Sequence, residues 1–188
     1  MRKRAFSPKQ IQTLRKVLAD NPRDFALLNF AVDSCLRSSD ILSLRVSDVQ
    51  TPWGEIRNEL EIKMKKTGKR VRCRLGEISQ DALERWIKFD GKESDDFVFT
   101  SMRGGKKTPI TSIAYRKIVK RWCEECGWDG NFYSTHSLRR TTPAHLYKQT
   151  KDLRTCQILL GHSSISSSAV YLGIEETDAF QLIEQHRI

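Results

Sequence analysis

The segment THSLRR, residues 135–140, is the stretch of this chain that says most about its fold and chemistry. His136 and Arg139 are three residues apart, so they share one face if the segment is helical. Downstream, an LGH turn at residues 160–162 is followed by Tyr171, nine residues after its histidine. Arginine and histidine can bind a phosphate and tyrosine can act as a nucleophile, so these stretches are candidates for a functional site.

Helical periodicity dominates the rest of the chain. Ser7 and Pro8 are typical of a helix start, and apolar residues follow at steps of three and four: Ile11, Leu14, Val17 and Leu18. Thr135 is the expected N-cap of a later helix, which Pro143 should kink or restart. The other predicted helices cover residues 22–35, a segment starting at 39, and residues 79–89, 111–126, 152–160 and 175–185.

One segment has the period of a β-strand. Leu60, Ile62 and Met64 alternate with charged residues, and the same alternation returns at Val71, Cys73 and Leu75 after a glycine-containing turn. Two period-2 runs joined by such a turn predict a β-hairpin, whose polar face is rich in lysine and arginine. The predicted fold class is therefore mainly α (α+β), with a small antiparallel β-hairpin.

Composition favours an anionic partner. The 188-residue chain has a formal net charge of +10, which is typical of proteins that bind nucleic acid, although solubility alone is an alternative explanation. No apolar run approaches the roughly 20 residues of a membrane span, and no signal core follows the basic residues 1–4. We expect a cytoplasmic protein without membrane contact.

The five cysteines are scattered, which favours reduced thiols. Cys123 and Cys126 have C-x-x-C spacing, but no second pair lies at zinc-finger distance. We interpret them as ordinary helix residues and predict no metal site.

Taken together, the motifs resemble the tyrosine recombinase (phage integrase) family. That family has an arginine loop, a hairpin lysine, an H-x-x-R helix, an LGH turn and a tyrosine about nine residues later. Asp40 matches the acidic residue that follows the arginine loop, and the resemblance extends from about Ser7 to Tyr171. The residues that match the catalytic positions are Arg37, Lys66, His136, Arg139, His162 and Tyr171.

The resemblance implies a reaction that uses each of these residues. Arg37 and Arg139 grip the phosphate, and His162 donates a further hydrogen bond to it. His136 is the candidate base for Tyr171, whose attack forms a 3′-phosphotyrosyl bond. Lys66 is the candidate acid for the 5′-oxygen, with three neighbouring lysines as rivals: Lys63, Lys65 and Lys69. The tyrosines that do not follow an LGH turn are Tyr115, Tyr133 and Tyr147. Since arginines take the place of a metal ion, we predict no cofactor.

The sequence departs from the family pattern at a few positions. Cys35 replaces a glycine, which is unfavourable if the site requires positive φ. Arg140 replaces a histidine, so a structural contact should be remade, and Pro143 is unusual in its helix.

The resemblance also implies a domain organisation. We expect one catalytic domain over residues 1–188, without the separate N-terminal DNA-clamping domain of most members, in either a natural minimal or a shortened recombinase. Residues 174–188 are predicted to form a tail helix that docks on a neighbouring protomer or packs on its own core. The expected partners are double-stranded DNA at specific sites and further copies of the chain, in a dimer or tetramer.

Three functions fit the sequence. The first is a site-specific recombinase or integrase of a mobile element, which cleaves and rejoins DNA strands. A type IB-like enzyme that only nicks and relaxes DNA shares the same residues. A DNA-binding regulator without catalysis is the third, and the intact set of six residues argues against it.

Overall fold

The computed structural model describes residues 3–101, 107–174 and 184. These residues form nine α-helices and a two-stranded antiparallel sheet, with a 3₁₀ turn at Gly130–Phe132. In chain order the elements are α1 (Pro8–Val17), α2 (Pro22–Ser34), α3 (Ser38–Ile41), α4 (Val46–Val49), β1 (Glu59–Lys63), β2 (Arg70–Arg74), α5 (Glu77–Phe89), α6 (Ser112–Glu125), α7 (Thr135–Thr150), α8 (Leu153–Leu160) and α9 (Ile165–Leu172). The predicted mainly helical fold class with one small hairpin is confirmed.

Helix α2 lies at the centre of the domain. Most of its side chains are buried on every side, Leu27 and Phe30 among them, because it packs against both α5 and α7. A helix that is apolar around most of its circumference belongs in a core. The end of α2, where Arg37 follows, is therefore held in place by several neighbours.

Helix α1 begins as predicted. Ser7 and Gln10 form a capping box and Pro8 occupies the first turn. Its apolar stripe is only partly buried, because Val17 is 43% exposed while Ile11 and Leu14 are buried.

Three predictions near the site need correction. Helix α7 is capped by Ser134, not by Thr135, and it runs through Pro143 without a restart. The short helix α4 and the tyrosine-bearing helix α9 were not predicted. Helix α9 is rich in serine, a weak helix former, and is started by the Ser164 side chain, which accepts a hydrogen bond from the Ser167 N–H. The predicted tail helix lies outside the described residues, apart from Ile174 and Glu184.

The predicted hairpin is confirmed. Leu60 pairs with Cys73 and Ile62 with Val71, and these side chains are buried, while the alternate positions are exposed. Its buried face packs on the domain, and β2 contacts α8. The turn that carries Lys66 is thereby held against the helices that carry the other predicted residues.

All five cysteines are free thiols, and only Cys126 is not fully buried. Burial raises the pKa of Cys35 and Cys73 to about 12. In the described part of the chain, no helix is long and apolar enough to cross a membrane, and no group of three or more potential metal ligands occurs.

Candidate active site

The six predicted residues surround one cleft. Two adjoining cavities, of about 670 and 380 Å³, lie between the hairpin turn and the ends of α7, α8 and α9. The smaller cavity is lined by all six residues: Arg37, Lys66, His136, Arg139, His162 and Tyr171. Residues far apart in sequence thus converge, as a shared reaction centre requires.

The chain turns sharply before Arg37. Cys35 ends α2 in the left-handed conformation, with φ of 52°, and the chain is extended again at Arg37. This is the positive φ for which glycine is the usual residue, and a side chain there costs about 1–2 kcal/mol. The Arg37 guanidinium is half-buried, with Nη1 2.8 Å from the Sδ of Met64 at the start of the hairpin turn.

Arg139 lies deeper in the cleft. It is only 4% exposed, and its Nη2 donates a 2.6 Å hydrogen bond to the carbonyl of Leu160. Burial lowers the pKa of Arg139, which nevertheless remains a cation at neutral pH. Within the described residues, neither Arg139 nor Arg37 forms an ion pair with a carboxylate. A buried charge without a counter-ion is costly, so this pair is suited to an incoming anion.

His162 follows the C-cap of α8 and is oriented by α9. Its Nδ1 lies 3.1 Å from the hydroxyl of Ser168, a fully buried residue. Burial, together with the positive charges of Arg139 and Arg37, lowers the pKa of His162 to about 4. The imidazole is therefore neutral at pH 7. If the Ser168 hydroxyl donates to Nδ1, then Nε2 carries the proton and is a hydrogen-bond donor for a phosphate.

Tyr171 lies at the end of α9, inside the cleft. Its hydroxyl donates to the carbonyl oxygen of His136 at 3.3 Å, and its ring meets the His162 ring edge-on at 5.3 Å between centroids. Burial raises the pKa of Tyr171, and the charges of Arg139 and Arg140 act in the opposite direction. The phenol thus needs both a base and cationic neighbours to become a nucleophile.

His136 occupies the first turn of α7. Partial burial and the nearby charges of Arg139 and Arg116 lower the pKa of His136, which favours the neutral imidazole. A neutral imidazole is the form that accepts a proton. The contact that the structure records with Tyr171 is made by the His136 backbone carbonyl.

Lys66 is exposed in the hairpin turn and lines both cavities. Among its rivals, Lys69 lines only the larger cavity. Lys63 and Lys65 line neither of the two cavities. The geometry therefore favours Lys66.

Two contacts fix the base of this turn. Asp40 is 1% exposed and ties the turn to α3 through the Lys65 amide. Gly161 has a φ of 59°, and a Cβ added there would lie only 2.5 Å from Val71 Cγ2. The glycine of the LGH turn thus ends α8 and also lets the hairpin approach closely.

Three further residues support the site, and sequence reasoning missed one of them, Ser168. Ser168 orients His162, Asp40 anchors the hairpin turn, and Arg140 lies 5.4 Å from the centroid of the Tyr171 ring. The sequence pointed to Asp40 because it matches a family motif, and to Arg140 because it departs from one. Ser168 is one of several similar serines, so its sequence context gave no signal.

Comparisons with known proteins identify the family of this chain. Residues 4–177 match the sequence profile of the Phage integrase family. YoeC, a probable integrase/recombinase of Bacillus subtilis (strain 168), is 35% identical over 171 residues, covering 90% of this chain and 88% of YoeC. The tyrosine recombinase XerD of Proteus mirabilis is 31% identical, covering 96% of this chain but only 58% of XerD.

Solved structures show the same fold. The XerA recombinase superposes with a TM-score of 0.79 at 18% identity, covering 100% of this chain and 66% of XerA. The XerH site-specific recombinase, in a pre-cleavage complex with its difH substrate, gives 0.73 at 19% identity, covering 95% of this chain and 53% of XerH. The chain therefore spans about half to two thirds of these proteins.

Proposed function

This chain belongs to the phage integrase family of tyrosine recombinases, and from that membership we propose that it is a site-specific DNA recombinase. It cleaves a DNA strand with Tyr171 and rejoins it to another strand. The observation that carries the proposal is the single cavity that all six predicted residues line, with two arginines that have no carboxylate partner among the described residues.

The proposed reaction is a transesterification. The Tyr171 oxygen attacks phosphorus, its proton passes to His136, and a Tyr–O–P bond forms. The bond from phosphorus to the 5′-oxygen breaks, and Lys66 protonates the leaving oxygen. Arg37, Arg139 and the neutral His162 stabilise the charge that builds on the non-bridging oxygens. A 5′-hydroxyl of another strand then reverses these steps, so the energy of the diester is conserved and no cofactor is needed.

DNA is the proposed partner. The net charge of +10 and the exposed lysines and arginines of the hairpin fit phosphate contacts. XerH was solved with its difH substrate, and lambda integrase as a dimer bound to a COC′ core site. We propose that this chain likewise assembles as a dimer or tetramer on DNA. Light scattering with and without DNA tests this, and a monomer on saturated DNA would contradict it.

Covalent capture tests the nucleophile. A library of nicked duplexes with a randomised centre is incubated with the protein, and adducts are collected under denaturing conditions. Wild type should accumulate adducts, because the nick lets the cleaved fragment escape. Tyr171→Phe should form none, whereas Tyr147→Phe, the matched control outside the cleft, should behave as wild type. An adduct with Tyr171→Phe would show that the nucleophile is another residue.

A type IB-like nicking and relaxing enzyme would form the same covalent adduct as a recombinase but would release a different DNA product. With the captured sequence placed in a supercoiled plasmid, a nicking and relaxing enzyme removes supercoils without a second site. A recombinase exchanges strands between two copies of the site. Relaxation without exchange would support the alternative, and DNA binding without any adduct would support a regulator.

A further inference from the structure

Residues 3–6, which we call the strap, run across the domain. The Arg4 N–H donates to the Phe132 carbonyl at 2.9 Å, and the Phe6 N–H donates to the hydroxyl of Thr141 at 3.2 Å. Phe6 is 3% exposed, and its ring stacks on Tyr133 with 4.4 Å between centroids. The strap is therefore fixed to α7 and to the 3₁₀ turn before it.

Arg140 joins this strap to the helix that carries the nucleophile. Its Nη1 donates to the carbonyl of Lys3 at 2.8 Å, and its Nη2 donates to the carbonyl of Leu172 at 3.1 Å. Its Cζ lies over the Tyr171 ring, 5.4 Å from the centroid. One guanidinium thus contacts the strap, the residue after the nucleophile and the nucleophile itself.

We propose that Arg140 is a positioning residue for the nucleophile, which fastens the last turn of α9 to the strap and thereby fixes Tyr171 in the cleft. This inference rests on the proposed function. It assigns a role to a position at which the chain departs from the family pattern.

The length and the end of α9 explain why such a residue is needed. An eight-residue helix is unstable by itself, so α9 depends on contacts with its neighbours. The carbonyl of Leu172 is one of the last four in the helix, which have no partner within it. A cation at this end also interacts favourably with the helix dipole. The planar guanidinium presents its donors in a fixed fork and reaches two carbonyls at once, whereas a lysine presents a single ammonium on a flexible stem.

The charge of Arg140 also acts on the phenol. Burial raises the pKa of Tyr171, while the charges of Arg139 and Arg140 lower it. The charged and titratable groups that face the phenol come from every surrounding element: Cys35, Arg37, Lys66, His136, Arg139, Arg140 and His162. Removal of the Arg140 cation should therefore raise the pKa of the phenol.

Three variants separate charge from geometry. Arg140→Gln removes both, Arg140→Lys keeps a charge without the fork, and deletion of residues 1–4 keeps Arg140 but removes the Lys3 carbonyl. Thermal melting restricts the comparison to folded variants. The Tyr171 pKa is read from ¹³Cζ-tyrosine NMR, with Tyr171→Phe to assign the signal. We expect a rise in Arg140→Gln, a smaller change in Arg140→Lys, and little change in the deletion variant.

Adduct formation gives the second readout. Because a misplacement of about 1 Å can cost on the order of 100-fold, we expect all three folded variants to lose about 10- to 100-fold in adduct rate. DNA affinity should change little. In Arg140→Gln the limb of the pH–rate profile that reports ionisation of Tyr171 should also move to higher pH. A wild-type pKa and a wild-type adduct rate in folded Arg140→Gln would overturn the inference. Absence of adducts with wild type would instead overturn the proposed function, and the NMR titration would still decide the role of Arg140.

Discussion

Gly161→Ala should destabilise the domain more than the same change at another left-handed glycine. Gly161 and Gly127 both follow helices, with φ of 59° and 71°. A Cβ at Gly161 would lie 2.5 Å from Val71 Cγ2 and 3.0 Å from Met64 Cε. At Gly127 it would meet no heavy atom within 4 Å among the described residues. The two sites therefore share the backbone strain and differ in the steric clash.

The magnitudes follow from these two effects. An L-residue in the left-handed region costs about 1–2 kcal/mol, and the reduced entropy of the unfolded chain offsets about 0.4–1 kcal/mol of it. Gly127→Ala should therefore cost about 1 kcal/mol. Overpacking adds about 1–3 kcal/mol, so Gly161→Ala should cost about 2–4 kcal/mol.

Urea unfolding of both variants measures the difference directly. Val71→Ala removes the methyl that the new Cβ would meet, so it should recover part of the loss in the Gly161→Ala background. Adduct formation should fall in Gly161→Ala but not in Gly127→Ala, because only the first displaces the hairpin turn from the cleft. Equal losses of stability at the two glycines, or an additive double variant, would refute this reasoning.

Three further predictions concern the surroundings of the phosphate site. Ser168→Ala should lower the adduct rate about 10-fold, because His162 loses its orienting hydrogen bond, whereas Ser168→Thr should retain most activity in the same capture assay. Asp40→Ala should lower it more than Asp40→Asn, which keeps an acceptor for the Lys65 N–H; equal losses would show that charge, not the hydrogen bond, matters. The pKa of His162 is about 4 when folded and about 6.5 when unfolded, so between these values the unfolded chain binds more protons and the free energy of unfolding falls as the pH drops. This slope should weaken in His162→Gln, and bound phosphate should raise the His162 pKa in an NMR titration.

Local patterns made much of the fold predictable. The hairpin was predictable because four apolar residues alternate with charged ones: Leu60, Ile62, Val71 and Cys73. Such alternation is typical of a strand with one buried face. The N-terminus of α1 was predictable because its cap lies within four residues. The exposure of Val17 and the continuity of α7 through Pro143 were not predictable. Both depend on neighbours from other parts of the chain.

The candidate site also has parts that local sequence predicts and parts that depend on distant contacts. The six candidate catalytic residues stand in the order that the family motifs have, so they could be selected from the sequence. Their supports act through contacts between distant segments. Arg140 reaches carbonyls of Lys3 and Leu172, and Asp40 reaches the amide of Lys65. No spacing within one helix or strand predicts such contacts. Cys35 is an intermediate case. The sequence left open whether this position requires a positive φ, and the structure shows that it has one.

The distribution of thiols makes the protein convenient for fluorescence work. Cys126, at the C-cap of α6, is half-buried, while the other four cysteines are fully buried. A maleimide dye should therefore attach first at Cys126 under native conditions, without removal of any cysteine. Since no element of the cleft contains Cys126, the label leaves Tyr171 and its neighbours unmodified. Mixing donor-labelled with acceptor-labelled protein would then test the proposed assembly of copies on DNA through energy transfer.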